Sequence, residues 1–136
     1  MRMAIDLARH RVGLTGDNPT VGCVIVRGGE LLAAGVTGEG GRPHAEEQAL
    51  GAIPEARGAT AYVTLEPCGA RSSGGKSCAE RLAEAGVVRV VVAVEDTSVY
   101  ASGMGADRLH AAGVSVEIGL LGDEADELLE DYQPRG

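Results

Sequence analysis

His44-Ala45-Glu46, Pro67-Cys68 and Cys78 are the residues of this chain whose types and spacing could do chemistry. Two thiolates and an imidazole are a zinc-binding set, and three protein ligands leave the fourth tetrahedral position for water. Zinc lowers the pKa of bound water toward neutrality, so a hydrolytic nucleophile becomes available near pH 7. Hydrolysis also needs a group that moves protons from that water to the leaving group, and Glu46 is the candidate. Both parts of the set are expected near helix N-termini, whose partial positive charge favours the thiolate that binds metal. Ser77 and Glu80 form an S-x-x-E capping box that would fix the helix start aiming Cys78. Residues i and i+2 of a regular helix do not share a face. His44 and Glu46 therefore converge only at an irregular helix entrance, which Pro43 makes plausible.

The elements that must position these residues can be read from periodicity and turn chemistry. Residues 2–14 place Ile5, Ala8 and Val12 at helical spacing, before a TGDNPT turn. Val21–Arg27 and Leu31–Thr37 flank Gly28-Gly29, which predicts an antiparallel hairpin. After Pro43, Ala45, Ala49 and Leu50 form an apolar stripe that Pro54 ends. Three strand-like runs then follow, Ala59–Leu65, Val87–Val94 and Val114–Ile118, separated by helical stretches Ser77–Ala85 and Met104–Ala112. Such alternation predicts right-handed crossovers and parallel strands. Asp123–Tyr132 reads as a final helix with an acidic first turn. The expected fold class is α/β: a five-stranded mixed sheet between helices, in one domain covering residues 1–136.

Composition narrows the function classes. The chain has 136 residues, enough for one core, and 44% of them are hydrophobic. No apolar run approaches the ~18 residues of a membrane span, so no membrane partner is expected. Twelve Lys and Arg against twenty Asp and Glu give a net charge of -8, which argues against nucleic acid and for a small-molecule substrate. The first residues, MRMAIDLARHRVG, lack the apolar stretch of a secretory signal, so the expected compartment is the cytoplasm and the three cysteines are expected as thiols.

The H-x-E with P-C and a later Cys is the signature of zinc-dependent nucleobase deaminases. The blocks Asn18–Val26, Gly41–Glu46, Arg57–Cys68, Ala85–Val87 and Ala112–Val114 resemble the pyrimidine deaminase domain of riboflavin biosynthesis, over nearly the whole chain. That resemblance implies a three-layer α/β/α fold of the cytidine deaminase type and hydrolytic deamination of diamino-hydroxy-phosphoribosylamino-pyrimidine. It implies zinc held by His44, Cys68 and Cys78, Glu46 as proton shuttle, and Asn18 hydrogen-bonding the base. Ala45, Asp96 and either Lys76 or Arg71 are the further substrate contacts it suggests. It also points to a homodimer or higher homo-oligomer, as does an aliphatic helix face left over by a short chain. The family's usual C-terminal reductase domain has no counterpart in these residues.

The chain departs from the family pattern between its two cysteines. Gly69–Ser77 is nine residues, GARSSGGKS, where the family usually has eight ending in Thr-Pro-Pro, with a His just after the first Cys. Asp96-Thr97-Ser98 replaces the usual Asp-Pro-Asn. A free nucleobase or nucleoside is therefore the alternative substrate, and a structural zinc module, with Cys23, His10 or His110 as fourth ligand, is the alternative outside catalysis. Cys23 lies within VGCVIV and reads as a buried apolar residue, while His10 and His110 sit among charged neighbours. ARSSGGKS also approaches a phosphate-binding loop, but its first position is Ala70 rather than Gly, and that reading leaves Cys68 and Cys78 unexplained.

Overall fold

The computed structural model describes residues 1–16, 18–69, 76–96 and 104–129. Among the described residues five strands form one sheet: β1 (Gly22–Arg27), β2 (Glu30–Val36), β3 (Thr60–Leu65), β4 (Arg89–Val94) and β5 (Ser115–Ile118), in the order β2-β1-β3-β4-β5. The helices are α1 (Arg2–Arg9), α2 (Ala45–Gly51), α3 (Cys78–Glu84), α4 (Met104–Ala111) and α5 (Gly122–Asp126). β1 pairs antiparallel with both β2 and β3, whereas β3, β4 and β5 run parallel. The expected mixed sheet, antiparallel hairpin and parallel β3, β4 and β5 are all present. Gly28 and Gly29 have φ of +59° and +80°, the left-handed conformations that a tight hairpin between right-twisted strands requires.

Alternation along each strand sends side chains to two different layers. Cys23, Ile25, Ala61, Val63, Val90 and Val92 face α2, α3 and α4, where Ala45, Ala49, Ala79, Leu82 and Leu109 complete the larger core. Ala93 faces the other way and joins Ile5 and Ala8 of α1 with Ala125 and Leu128. Each fully buried Leu, Ile or Val contributes about 1.5–3 kcal/mol relative to exposure. The result is the α/β/α sandwich. Among the described residues no helix is long and apolar enough to cross a membrane.

Two helix boundaries differ from the periodicity. α1 stops at Arg9, and Val12 is 48% exposed because a run of turns leads into Gly13 at φ +88°. The last helix begins at Gly122 and tightens after Asp126 into a 3-10 turn, Glu127–Leu129. Tyr132 lies outside the described residues.

Candidate metal centre and active site

Three segments converge at the carboxyl end of β3. His44 is the N-cap of α2, with φ -68° and ψ 157°, and therefore stands outside the helix in extended backbone. This answers the i, i+2 problem: only Glu46 obeys helical geometry, so the two side chains are free of the constraint that separates them within a helix. The His44 N–H donates to Glu47 Oε1 at 3.2 Å, fixing the entrance of α2. Gly35 of β2 permits α2 to lie close, since a Cβ there would meet the Ala45 carbonyl oxygen and the Ala49 nitrogen.

Cys68 follows β3 by three residues and faces the start of α3. The Cys78 N–H donates to Cys68 Sγ at 3.2 Å, and the Ala79 N–H donates to the Cys68 carbonyl at 3.1 Å. The first turn of α3 thus directs its unpaired N–H groups at Cys68, as anions at helix starts require. Ser77 is fully buried, and its Oγ accepts from the Glu80 N–H at 3.2 Å, which supplies the serine half of the expected capping box. The Glu80 carboxylate instead lies 3.7 Å from Arg108 of α4.

His44 Nδ1 lies 3.3 Å from Cys78 Sγ, and the ligand atoms of His44, Cys68 and Cys78 all fall within 4.8 Å of one another. A tetrahedral zinc with bonds of about 2.0 Å to nitrogen and 2.3 Å to sulfur needs its ligands about 3.5–3.8 Å apart. The donor set and its spacing fit that ion. Hydrogen bonding from the Cys78 thiol, opposed by burial and aided by the His44 ring and the Cys78 N–H, lowers the Cys68 thiol to about 4. This is a thiolate at neutral pH, the form that binds metal.

Glu46 is 4% exposed, in the first turn of α2 beside this cluster. Burial foremost, then the negative charge of Cys68, raises its carboxyl to about 7 against the pull of its own backbone N–H and of His44. A carboxyl near neutrality can both take and give a proton at physiological pH. Cys23, fully buried in β1, is pushed well above the ordinary thiol range by burial and by Glu46. It belongs to the core and is absent from the metal-competent group, as are His10 and His110, both exposed.

Four of the expected substrate contacts, Asn18, Ala45, Lys76 and Asp96, lie among the described residues. Asn18 is half-buried, and its Nδ2 donates to the Gly41 carbonyl at 2.9 Å, just before the Arg42-Pro43-His44 segment. Ala45 is fully buried at the first position of α2. Asp96 is buried just beyond β4. Lys76 is exposed and pairs with Glu84 at 2.7 Å. Arg71 lies outside the described residues. The residue that sequence reasoning missed is Glu66, 3% exposed, whose Oε1 accepts from the Asp96 N–H at 3.3 Å and Oε2 from the Ala106 N–H at 3.1 Å. Its signal is a carboxylate placed between the buried end of β3 and Pro67-Cys68.

Residues 1–94 match the cytidine and deoxycytidylate deaminase zinc-binding region. The chain belongs to that family. It is 44% identical over 97% of its length to the riboflavin biosynthesis protein RibD of Aquifex aeolicus, of which it covers 37%. The solved structure of Acinetobacter baumannii RibD, form 1, matches 96% of this chain and 37% of that one, at 45% identity and a TM-score of 0.89. A Thermotoga maritima diaminohydroxyphosphoribosylaminopyrimidine deaminase/5-amino-6-(5-phosphoribosylamino)uracil reductase matches 94% of this chain and 37% of that one, at 35% identity and a TM-score of 0.87. The chain spans somewhat over a third of the length of these relatives. The family and the fold expected from the motifs are thereby established, together with zinc as the family's metal.

Proposed function

We propose that this chain removes an exocyclic amine hydrolytically from an aminated pyrimidine, with the phosphoribosylated diaminopyrimidine of riboflavin synthesis as the substrate. The observation that carries the reading is the convergence of His44, Cys68 and Cys78 beside the buried Glu46 carboxyl. The riboflavin assignment draws its support from the relatives matched along nearly the whole chain. In this reading His44, Cys68 and Cys78 hold zinc, which when bound supplies a water acidified toward neutrality. Glu46 takes a proton from the attacking water, passes it to the ring nitrogen next to the reacting carbon, and delivers another to the departing amine. Water adds oxygen to that carbon, the C–N bond breaks, and ammonia leaves, so the reaction balances with no further reactant. Asn18, Ala45 and Asp96 orient the base, and a basic residue of the 69–77 segment, Lys76 or Arg71, meets the phosphate.

The chain in this reading acts as a homodimer or higher homo-oligomer. Ile118 and Leu120, at and beyond the end of the edge strand β5, are 49% and 47% exposed, which supports a covered edge. Sedimentation velocity reads that state directly. The activity is tested by ammonia release from the zinc-loaded chain given phosphoribosylated diaminopyrimidine, cytosine, cytidine or guanine. Release from the first, and a loss of about 10²–10⁴-fold in kcat on Glu46→Gln with zinc retained, is expected. Full activity of Glu46→Gln would remove the proposed shuttle, and release only from an unphosphorylated base would move the substrate assignment to the free-base class.

A further inference from the structure

We propose that Glu66 is the positioning residue of the metal centre, fastening the first turn of α4 and the segment after β4 to the loop that carries Cys68. Glu66 directly precedes Pro67-Cys68, so its backbone leaves little slack between the carboxylate and the sulfur. Its two oxygens accept from two backbone groups far apart in sequence: Oε1 from the Asp96 N–H, Oε2 from the Ala106 N–H. Ala106 is the third residue of α4, whose opening N–H groups have no partner within the helix. The Glu66 N–H itself donates to the Val94 carbonyl at 2.9 Å, so the residue closes the β3–β4 ladder and then reaches beyond it.

Backbone packing supports the same coupling independently. Gly105 lies so close to the loop that a Cβ would run into the Pro67 carbonyl oxygen and stand 3.4 Å from Glu66 Oε2. Gly69, just after Cys68, would likewise bring a Cβ to 2.7 Å from Met104. α4 holds none of His44, Cys68 or Cys78, yet it is built onto the loop between β3 and α3. Because both oxygens face N–H donors, an amide is not equivalent to the carboxylate here: its NH2 would oppose either Asp96 or Ala106, leaving a buried donor facing a donor. Partners that orient ligands from outside the coordination sphere are worth about 10–100-fold in metal affinity.

The inference takes the zinc assignment from the proposed function, but its test does not depend on deamination. Zinc affinity of the full chain is measured by competition with a chromogenic chelator, alongside far-UV circular dichroism and the thiolate-to-metal absorption of the cobalt(II)-loaded chain. Glu66→Gln is expected to keep the dichroism spectrum, weaken zinc by about tenfold or more and shift the cobalt band. Gly105→Ala, which pushes α4 off the loop, is expected to do the same and carries the test if Glu66→Gln does not fold. Glu80→Gln, which breaks only the exposed α3–α4 pair with Arg108, is expected to leave zinc affinity unchanged. Wild-type zinc affinity and cobalt spectrum in a folded Glu66→Gln, or in Gly105→Ala, would overturn the assignment. A wild-type chain that binds zinc and releases no ammonia would instead sink the deaminase reading and leave the role of Glu66 standing.

Discussion

The two faces of the sheet are covered by helices that do different work. On one face α2, α3 and α4 lie against a continuous core, and the N-terminal ends of α2 and α3 meet at the carboxyl end of β3 with their caps made by His44 and Ser77. On the other, α1 and α5 cover the sheet through Ile5, Ala8, Ala125 and Leu128, and contribute none of the three metal-competent ligands. The first face uses alanine and glycine at its tightest points, Ala45, Ala49 and Gly35, where backbone approaches backbone and leaves the helix starts little freedom. Placement of ligands is thus a property of the capped helix ends on that face. The second face is packed as closely, since a Cβ on Gly22 of β1 would run into the Ala4 carbonyl oxygen of α1, but no capped helix end there carries a ligand.

That contrast can be broken in order of effect. Cys68→Ser should reduce bound zinc from about one ion per chain to nearly none, measured by metal analysis after dialysis, with the sheet retained by circular dichroism. Leu82→Ala, in the core beneath α3, and Ile5→Ala, beneath α1, should each cost about 2–5 kcal/mol in denaturant unfolding. Only Leu82→Ala should also weaken zinc, because only that cavity lies under a ligand-bearing helix. Equal zinc affinities in the two variants would dissolve the distinction between the faces. Ser77→Ala should cost about 0.5–2 kcal/mol and accelerate zinc release in stopped-flow chelation, since the cap it removes sets the start of α3 next to Cys78.

Much of this arrangement is legible in the residues. The Gly28-Gly29 turn, the strand and helix alternation after Pro54 and the Cys-and-His set all follow from local chemistry, and each appears near its expected boundaries. Val12 misled because helical spacing continues past the point where turns and Gly13 end the helix, and spacing alone cannot report burial. The irregular helix entrance that His44 and Glu46 require is present, with His44 as the extended N-cap and Glu46 inside the helix. Glu66 could not be read because its partners, Asp96 and Ala106, lie 30 and 40 residues away, and a single sequence records no pairing at that range.

The account stands on an open coordination sphere, and X-ray absorption at the zinc edge of the loaded chain measures that sphere directly. Two sulfur scatterers at about 2.3 Å with two nitrogen or oxygen scatterers at about 2.0 Å are predicted, one of the latter exchangeable with an added anion. A sphere of three sulfurs, which would bring Cys23 out of the core, or one with two imidazoles and no exchangeable position, would contradict it.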